Sequence, residues 1–258
     1  MKILVIGDIF GRTGRDAVFE YIERHYSEFD LVIANAENAA HGRGISKPVY
    51  DELKKAGIDG FTMGNHTWGC PDVVSLMNHS DDIIRPANFE GNVAGCGSMI
   101  LRAKNGKKVG IINIIGRTYM QGAISSPFFS ADSEIEKLKD KTDIILVDFH
   151  AEATSEKMAL GYYLDGRVAA VFGTHTHIQT ADNKLLPKGS AYITDLGMTG
   201  SSVSVLGLEK QTIINRFLNG MPQKFEPANG KPQLCGCIIT IDDETNKAAS
   251  IQRVYEEY

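Results

Sequence analysis

Short apolar runs alternate along the chain with longer stretches in which apolar residues recur every three or four positions. The runs Lys2–Gly7 (KILVIG), Leu31–Ala36 (LVIANA), Gly60–Met63 (GFTM), Asp143–Asp148 (DIILVD), Val168–Phe172 (VAAVF) and Ala191–Thr194 predict buried strands. A strand covered on both faces is apolar at nearly every position. After the first run, Val18, Tyr21, Ile22 and Tyr26 fall at helical spacing. Ser46-Lys47-Pro48 reads as a helix start with proline in the first turn, and Gly57 as its end. Ser130 is expected to cap a helix through Leu138, and further helices are expected around Ser155–Leu164 and Glu209–Leu218. Asn105-Gly106, between Ser98–Lys104 and Lys108–Ile115, signals a hairpin, and Leu234–Ile241 with Ala248–Tyr255 predict a last strand pair. The expectation is one α/β domain over residues 1–258 with mixed parallel and antiparallel strands; there is no internal repeat, low-complexity tract or long linker.

Composition narrows the function classes. The 258 residues are 43% hydrophobic and 23% charged, with a formal net charge of -5. A mildly acidic chain without a Lys/Arg block offers no extended nucleic-acid surface and no membrane-binding face, so a phosphate-bearing ligand must be attracted locally. No window approaches the roughly 18 apolar residues of a spanning helix. The N-terminal apolar run is too short for a signal peptide. Cys70, Cys96, Cys235 and Cys237 are too few and too scattered for a disulfide framework or a zinc knuckle. They read as reduced thiols in a cytoplasmic protein.

Candidate chemistry appears where the strands stop. KILVIG runs into Asp8, LVIANA into Glu37 and Asn38, GFTMG into Asn65 and His66, DIILVDF into His150, and VAAVFGT into His175 and His177. Ligands of open α/β sheets bind at the carboxyl ends of strands, so these side chains are expected to be neighbours. Imidazoles with carboxylate and amide oxygens, without thiols, suit borderline divalent ions such as iron, manganese or zinc. Seven candidate ligands are too many for one tetrahedral ion. If Glu37 bridges, Asp8, Glu37, Asn38 and His177 can hold one ion, and Glu37, Asn65, His150 and His175 the other. Two divalent cations against two carboxylates leave the site positive, which answers the need for local attraction. Such a pair activates a water and stabilises both oxygens of an in-line displacement at phosphorus.

Other motif readings fit less well. Gly7, Gly11 and Gly14 do not have G-x-G-x-x-G spacing and lack the Gly-Lys-Ser/Thr of a P-loop. A metallo-β-lactamase-like site needs Asp and His soon after its H-x-H, where Gln179 and Thr180 stand. Amidohydrolase barrels carry H-x-H on the first strand, whereas here it comes late.

The blocks GDIFG, NAENA, GNHTW, the isolated His150 and GTHTH, in that order, resemble the five blocks of calcineurin-like metallophosphoesterases. The stretches DFHAEATSEK and DLGMTG resemble the bacterial YmdB-like branch, described as 2',3'-cyclic nucleotide phosphodiesterases. Two departures from the superfamily pattern stand out. Phe10 occupies the histidine position of the usual D-x-H block, and Glu37-Asn38 replaces the usual bridging Asp, with Asn38 standing in for the lost imidazole. The YmdB-like branch carries the same substitutions. The resemblance implies a four-layer sandwich, two mixed β-sheets packed face to face and flanked by α-helices.

It also gives His66 a role as general acid on the leaving-group oxygen, with orientation of a ligand as the alternative. The implied cofactor is a pair of divalent metal ions, iron or manganese favoured over zinc because an amide oxygen has replaced a nitrogen. The expected substrate is a small phosphodiester such as a 2',3'-cyclic nucleotide, cut by a metal-bridging hydroxide. A phosphomonoesterase, a protein phosphatase, or a nucleotide-sensing regulatory protein with little catalysis are the alternatives. A homo-oligomer is compatible with the sequence. Arg12, His41, Arg43 and Arg117 lie in loops near the blocks where phosphate or base would come, and Trp68 and Tyr119 are candidates to stack a base.

Overall fold

In the computed structural model, which describes residues 1–258, the chain forms thirteen strands and six α-helices in two sheets. The first half contributes β1 (Lys2–Ile6), β2 (Asp8–Ile9), α1 (Gly11–His25), β3 (Leu31–Asn35), α2 (Lys47–Ala56), β4 (Gly60–Thr62), α3 (Val73–His79), β5 (Ser98–Arg102) and β6 (Lys108–Ile115). The second contributes α4 (Pro127–Leu138), β7 (Ile144–His150), α5 (Thr154–Leu164), β8 (Ala170–Thr174), β9 (Lys184–Leu185), β10 (Ala191–Ile193), β11 (Met198–Ser201), α6 (Lys210–Asn219), β12 (Pro232–Ile241) and β13 (Ala248–Glu257).

The first sheet is built on β12. Its one edge carries β13 antiparallel, while the other is shared by β1 and β11. Parallel pairing then extends from β1 through β3 to β4, and from β11 to β2. The second sheet runs β5-β6-β7-β8-β10-β9, with β6, β7, β8 and β10 parallel and an antiparallel strand at each edge. Parallel strands point all their carboxyl ends the same way, which is what gathers the candidate ligands.

Alternation along each strand sorts the apolar residues into three cores. Ile3, Val5, Leu31 and Ile33 face Val109, Ile111, Leu146 and Phe172 between the sheets. Leu4, Ile6, Val32 and Ala34 lie under Val18, Tyr21, Ile22 and Leu53 of α1 and α2. Ile112, Ile114, Ile145 and Val147 lie under Ala131, Leu138, Leu160 and Leu164 of α4 and α5. The order of layers is helix, sheet, sheet, helix, the expected four-layer sandwich of two mixed sheets.

Local signals explain most boundaries. Proline opens α2, and Gly57, at φ 110°, closes it with its N–H on Leu53 and Lys54 carbonyls. The hairpin turns where expected, with Arg102 opposite Lys108. Helix α4 begins at Pro127 rather than after Ser130, because proline is preset for a first helical turn and Phe128 adds a contact with the outer core. The short β2, β9 and β11 and the seven-residue α3 have too few residues to show a period, and none was anticipated. No helix is long and apolar enough to cross a membrane.

Candidate metal centre

His150 is the last residue of β7 and fully buried. Its Nδ1 lies 2.9 Å from Thr174 Oγ1, whose hydroxyl donates to Asp148 Oδ1 at 2.7 Å. A hydroxyl has one proton, so Thr174 must accept from Nδ1–H, and Nε2 is left with its lone pair. Asp148 also accepts from Thr62 and, at 3.3 Å, from Asn35. Burial raises its pKa to about 6, partly offset by these hydrogen bonds, so it is ionised at neutral pH and can hold the relay. Burial, and next the charge of Lys157, lower His150 well below the usual histidine range, which keeps the ring neutral.

The lone pair of His150 Nε2 meets three others. Asn65 Oδ1 is 2.8 Å away, His175 Nδ1 3.1 Å and Glu37 Oε1 3.3 Å. His175 points its Nε2 at Glu152 Oε2, 3.2 Å away, so a neutral ring carries its proton there and turns an unprotonated Nδ1 inward. Burial pushes His175 down to about 3, with His150 as the next cause. Two carboxylate or amide oxygens and two imine nitrogens thus converge with no hydrogen among them. A cation would satisfy that arrangement, and Glu37, His150 and His175 form a cluster able to hold one.

A second set lies beside the first. Asp8 Oδ1 and Asn38 Oδ1 are buried and have no hydrogen-bond partner. His177 Nε2 is 3.9 Å from Asp8 Oδ1, and its Nδ1–H donates to the Leu206 carbonyl at 3.1 Å, so its lone pair also faces inward. Glu37 stands between the two sets, with Oε1 toward His150 and Oε2 accepting from the His66 N–H at 2.8 Å. Burial raises the pKa of Asp8 well above the carboxylate range, reinforced by Glu37, Asp195 and Asp148, and burial raises Glu37 as well. Buried, mutually repelling carboxylates with orphaned oxygens fit a pair of bound divalent cations.

Two glycines make the approach possible. A Cβ on Gly64, in the GNH block, would lie 2.3 Å from His150 Nε2, and one on Gly7 would lie 1.9 Å from the Gly197 carbonyl oxygen. Phe10, at the histidine position of the superfamily's first block, packs edge-on against His177 with ring centroids 5.7 Å apart. It fills the space and offers no donor atom.

The structure therefore brings Asp8, Glu37, Asn38, Asn65, His150, His175 and His177 to one place. His66 joins them at the wall of a cavity of about 600 Å³ that also touches Glu37, Asn38, His175 and His177. Of the residues expected in loops, His41 and Arg43 line this cavity; Arg12 lies instead in the first turn of α1, because the helix starts at Gly11, and it, Arg117, Trp68 and Tyr119 are not among the lining residues. Tyr119 is 85% exposed, and Trp68 packs toward Phe89. Sequence reasoning missed Asp148, Thr174, Glu152 and the Leu206 carbonyl. Asp148 did leave a signal, since a charged residue two positions before His150 in an apolar strand shares its face.

A family model described as YmdB-like protein matches residues 4–254. The chain belongs to the YmdB-like family. A 2',3'-cyclic-nucleotide 2'-phosphodiesterase of Bacillus subtilis is 47% identical over 256 residues, covering 98% of this chain and 96% of the relative. A solved structure of a hypothetical protein from Thermus thermophilus superposes with a TM-score of 0.94 at 40% identity, covering 100% of this chain and 99% of the other. The structure of a novel phosphatase from Mycoplasma pneumoniae does so with a TM-score of 0.92 at 37% identity, covering 100% and 93%. The named relatives are thus a phosphodiesterase and a phosphatase, and this chain shares the fold of the two solved structures along its whole length.

Proposed function

We propose that this chain is a metal-dependent phosphodiesterase of small phosphodiesters such as 2',3'-cyclic nucleotides, with one domain over residues 1–258 carrying the activity. The observation that carries the reading is the convergence of three donor atoms, from Asn65, His175 and Glu37, on His150 Nε2 beside the orphaned oxygens of Asp8 and Asn38. Asp8, Glu37, Asn38 and His177 would hold one divalent ion and Glu37, Asn65, His150 and His175 the other. On the first ion the amide oxygen of Asn38 would stand where the superfamily has an imidazole nitrogen, and this harder donor favours iron or manganese over zinc. Bound there, the ions lower the pKa of a water and offset charge developing on phosphoryl oxygens.

The chain's own groups do the rest. Asp148 and Thr174 hold His150 in the tautomer that faces inward, and the Leu206 carbonyl does the same for His177. His66 lines the cavity next to Glu37, and we assign it the proton delivered to the leaving oxygen. Burial lowers its pKa, an effect opposed by the negative charge of Glu37. Phe10, Leu208, Phe225 and Pro227 supply apolar wall to the same cavity, whose volume of about 600 Å³ suits a mononucleotide.

The test is hydrolysis of bis-p-nitrophenyl phosphate and of a 2',3'-cyclic nucleotide with added manganese or ferrous iron. Turnover that needs the metal and disappears in Asp8→Ala is expected. Absence of turnover with both ions loaded would overturn the reading in favour of a nucleotide-binding regulator.

A further inference from the structure

The stretches DFHAEATSEK, which holds His150, and DLGMTG, which holds no candidate ligand, are joined behind the site. They end and begin on Lys157 and Asp195, which meet in a buried ion pair at 2.6 Å, the side chains 1% and 0% exposed. Neither touches the cavity. Asp195 Oδ2 also accepts from the N–H of Thr176 at 3.1 Å and from its hydroxyl at 2.8 Å, while Oδ1 accepts from the Gly197 N–H at 2.8 Å. Lys157 Nζ donates a second bond, to the Thr174 carbonyl at 2.8 Å.

Thr176 is the residue between the two candidate ligand histidines, and those histidines are strained. His175 has φ of 99° and His177 of 64°, values that side-chain-bearing residues seldom adopt. Such conformations persist only where the surroundings over-determine them. In an extended His-Thr-His segment both imidazoles would leave on the same side. Here one is turned toward His150 and the other toward Asp8.

We propose that the Lys157–Asp195 pair is a clamp on Thr174 and Thr176 that splits His175 and His177 between the two cation positions. Asp195, Lys157 and Thr176 are positioning residues in this role: they fix the backbone from which the donors project. The inference rests on the two-cation reading given above.

The experiment is manganese binding by calorimetry and electron paramagnetic resonance on the whole chain, comparing the parent protein with Asp195→Asn, Thr176→Val and Thr176→Ser. Because Asp195→Asn leaves Lys157 buried without its partner, its fold is checked by circular dichroism. Thr176→Val leaves the ion pair intact and removes only the hydroxyl. The parent is expected to bind two ions with a spin-coupled spectrum. Asp195→Asn and Thr176→Val should keep one ion and bind the second about 10–100-fold more weakly, with the spectrum of an isolated ion, and Thr176→Ser should restore the parent behaviour. Two ions with unchanged affinity and coupling in folded Thr176→Val and Asp195→Asn overturn the clamp alone. A parent protein that takes a single ion overturns the two-cation reading and the clamp with it.

Discussion

The strand ends around His150 and the excursion between β11 and β12 lie on the same side of the molecule, sharing the cavity wall, yet they are built on opposite terms. At the strand ends every residue of β7 is buried, and Asp148, Thr174 and His150 hold one another through named hydrogen bonds. In the excursion, α6 buries only Ile213, while Phe217 and Leu218 are 83% and 79% exposed. The first region spends stability on placing donor atoms; the second contributes Leu206, Leu208, Phe225 and Pro227 to the cavity from a loosely packed frame. The difference teaches that chemistry here depends on burial and proton bookkeeping, whereas the rim depends only on being present.

Substitutions can break that contrast. The largest expected effect is His66→Ala, with kcat for a cyclic nucleotide lowered ~10²–10⁴-fold and metal content unchanged. A variant as active as the parent would remove the acid role. Asp148→Asn comes next. An amide can donate to Thr174 Oγ1, which frees the hydroxyl proton to turn toward His150 Nδ1 and push that ring's proton to Nε2. Metal binding measured by titration should weaken about 10–100-fold while the circular dichroism spectrum is kept.

Gly64→Ala sharpens the steric side of the comparison. The new Cβ would sit 2.3 Å from His150 Nε2, so the ring must move, and thermal unfolding of the metal-free protein should show a loss of about 1–3 kcal/mol. The smallest effect belongs to the excursion. Phe217→Ser should change stability by less than about 0.5 kcal/mol and leave kcat unaltered, since the side chain packs on nothing that holds the site. A Phe217→Ser variant as damaged as Asp148→Asn would erase the distinction between the two regions.

Much of this was legible in the residue order. Short apolar runs announced β1, β3, β4, β7 and β8, and the polar residues where they end announced the donors. Local chemistry marked the Asn105-Gly106 hairpin and the Gly57 stop. Elements too short for a period, such as β2 and β11, were not legible. The two residues of β2 suffice only because β11 supplies the hydrogen bonds, Asp8 pairing with Met198. The helix at Pro127 was misplaced by a turn because a serine signal outweighed a proline whose value depends on where Phe128 can be buried.

Sequence alone determined which donor types exist and that each stands where an apolar run ends, because strand propensity and residue chemistry are local properties. Only the tertiary structure decided which atom of each donor faces inward. That choice follows from where a single proton goes in the chain His150, Thr174 and Asp148, and from a buried ion pair between Lys157 and Asp195 that holds Thr176. Apart from Asp148, two positions before His150 in the same strand, those partners lie 19 to 38 residues from one another along the chain, so their contact is a product of sheet packing and has no signature in the spacing of the residues themselves.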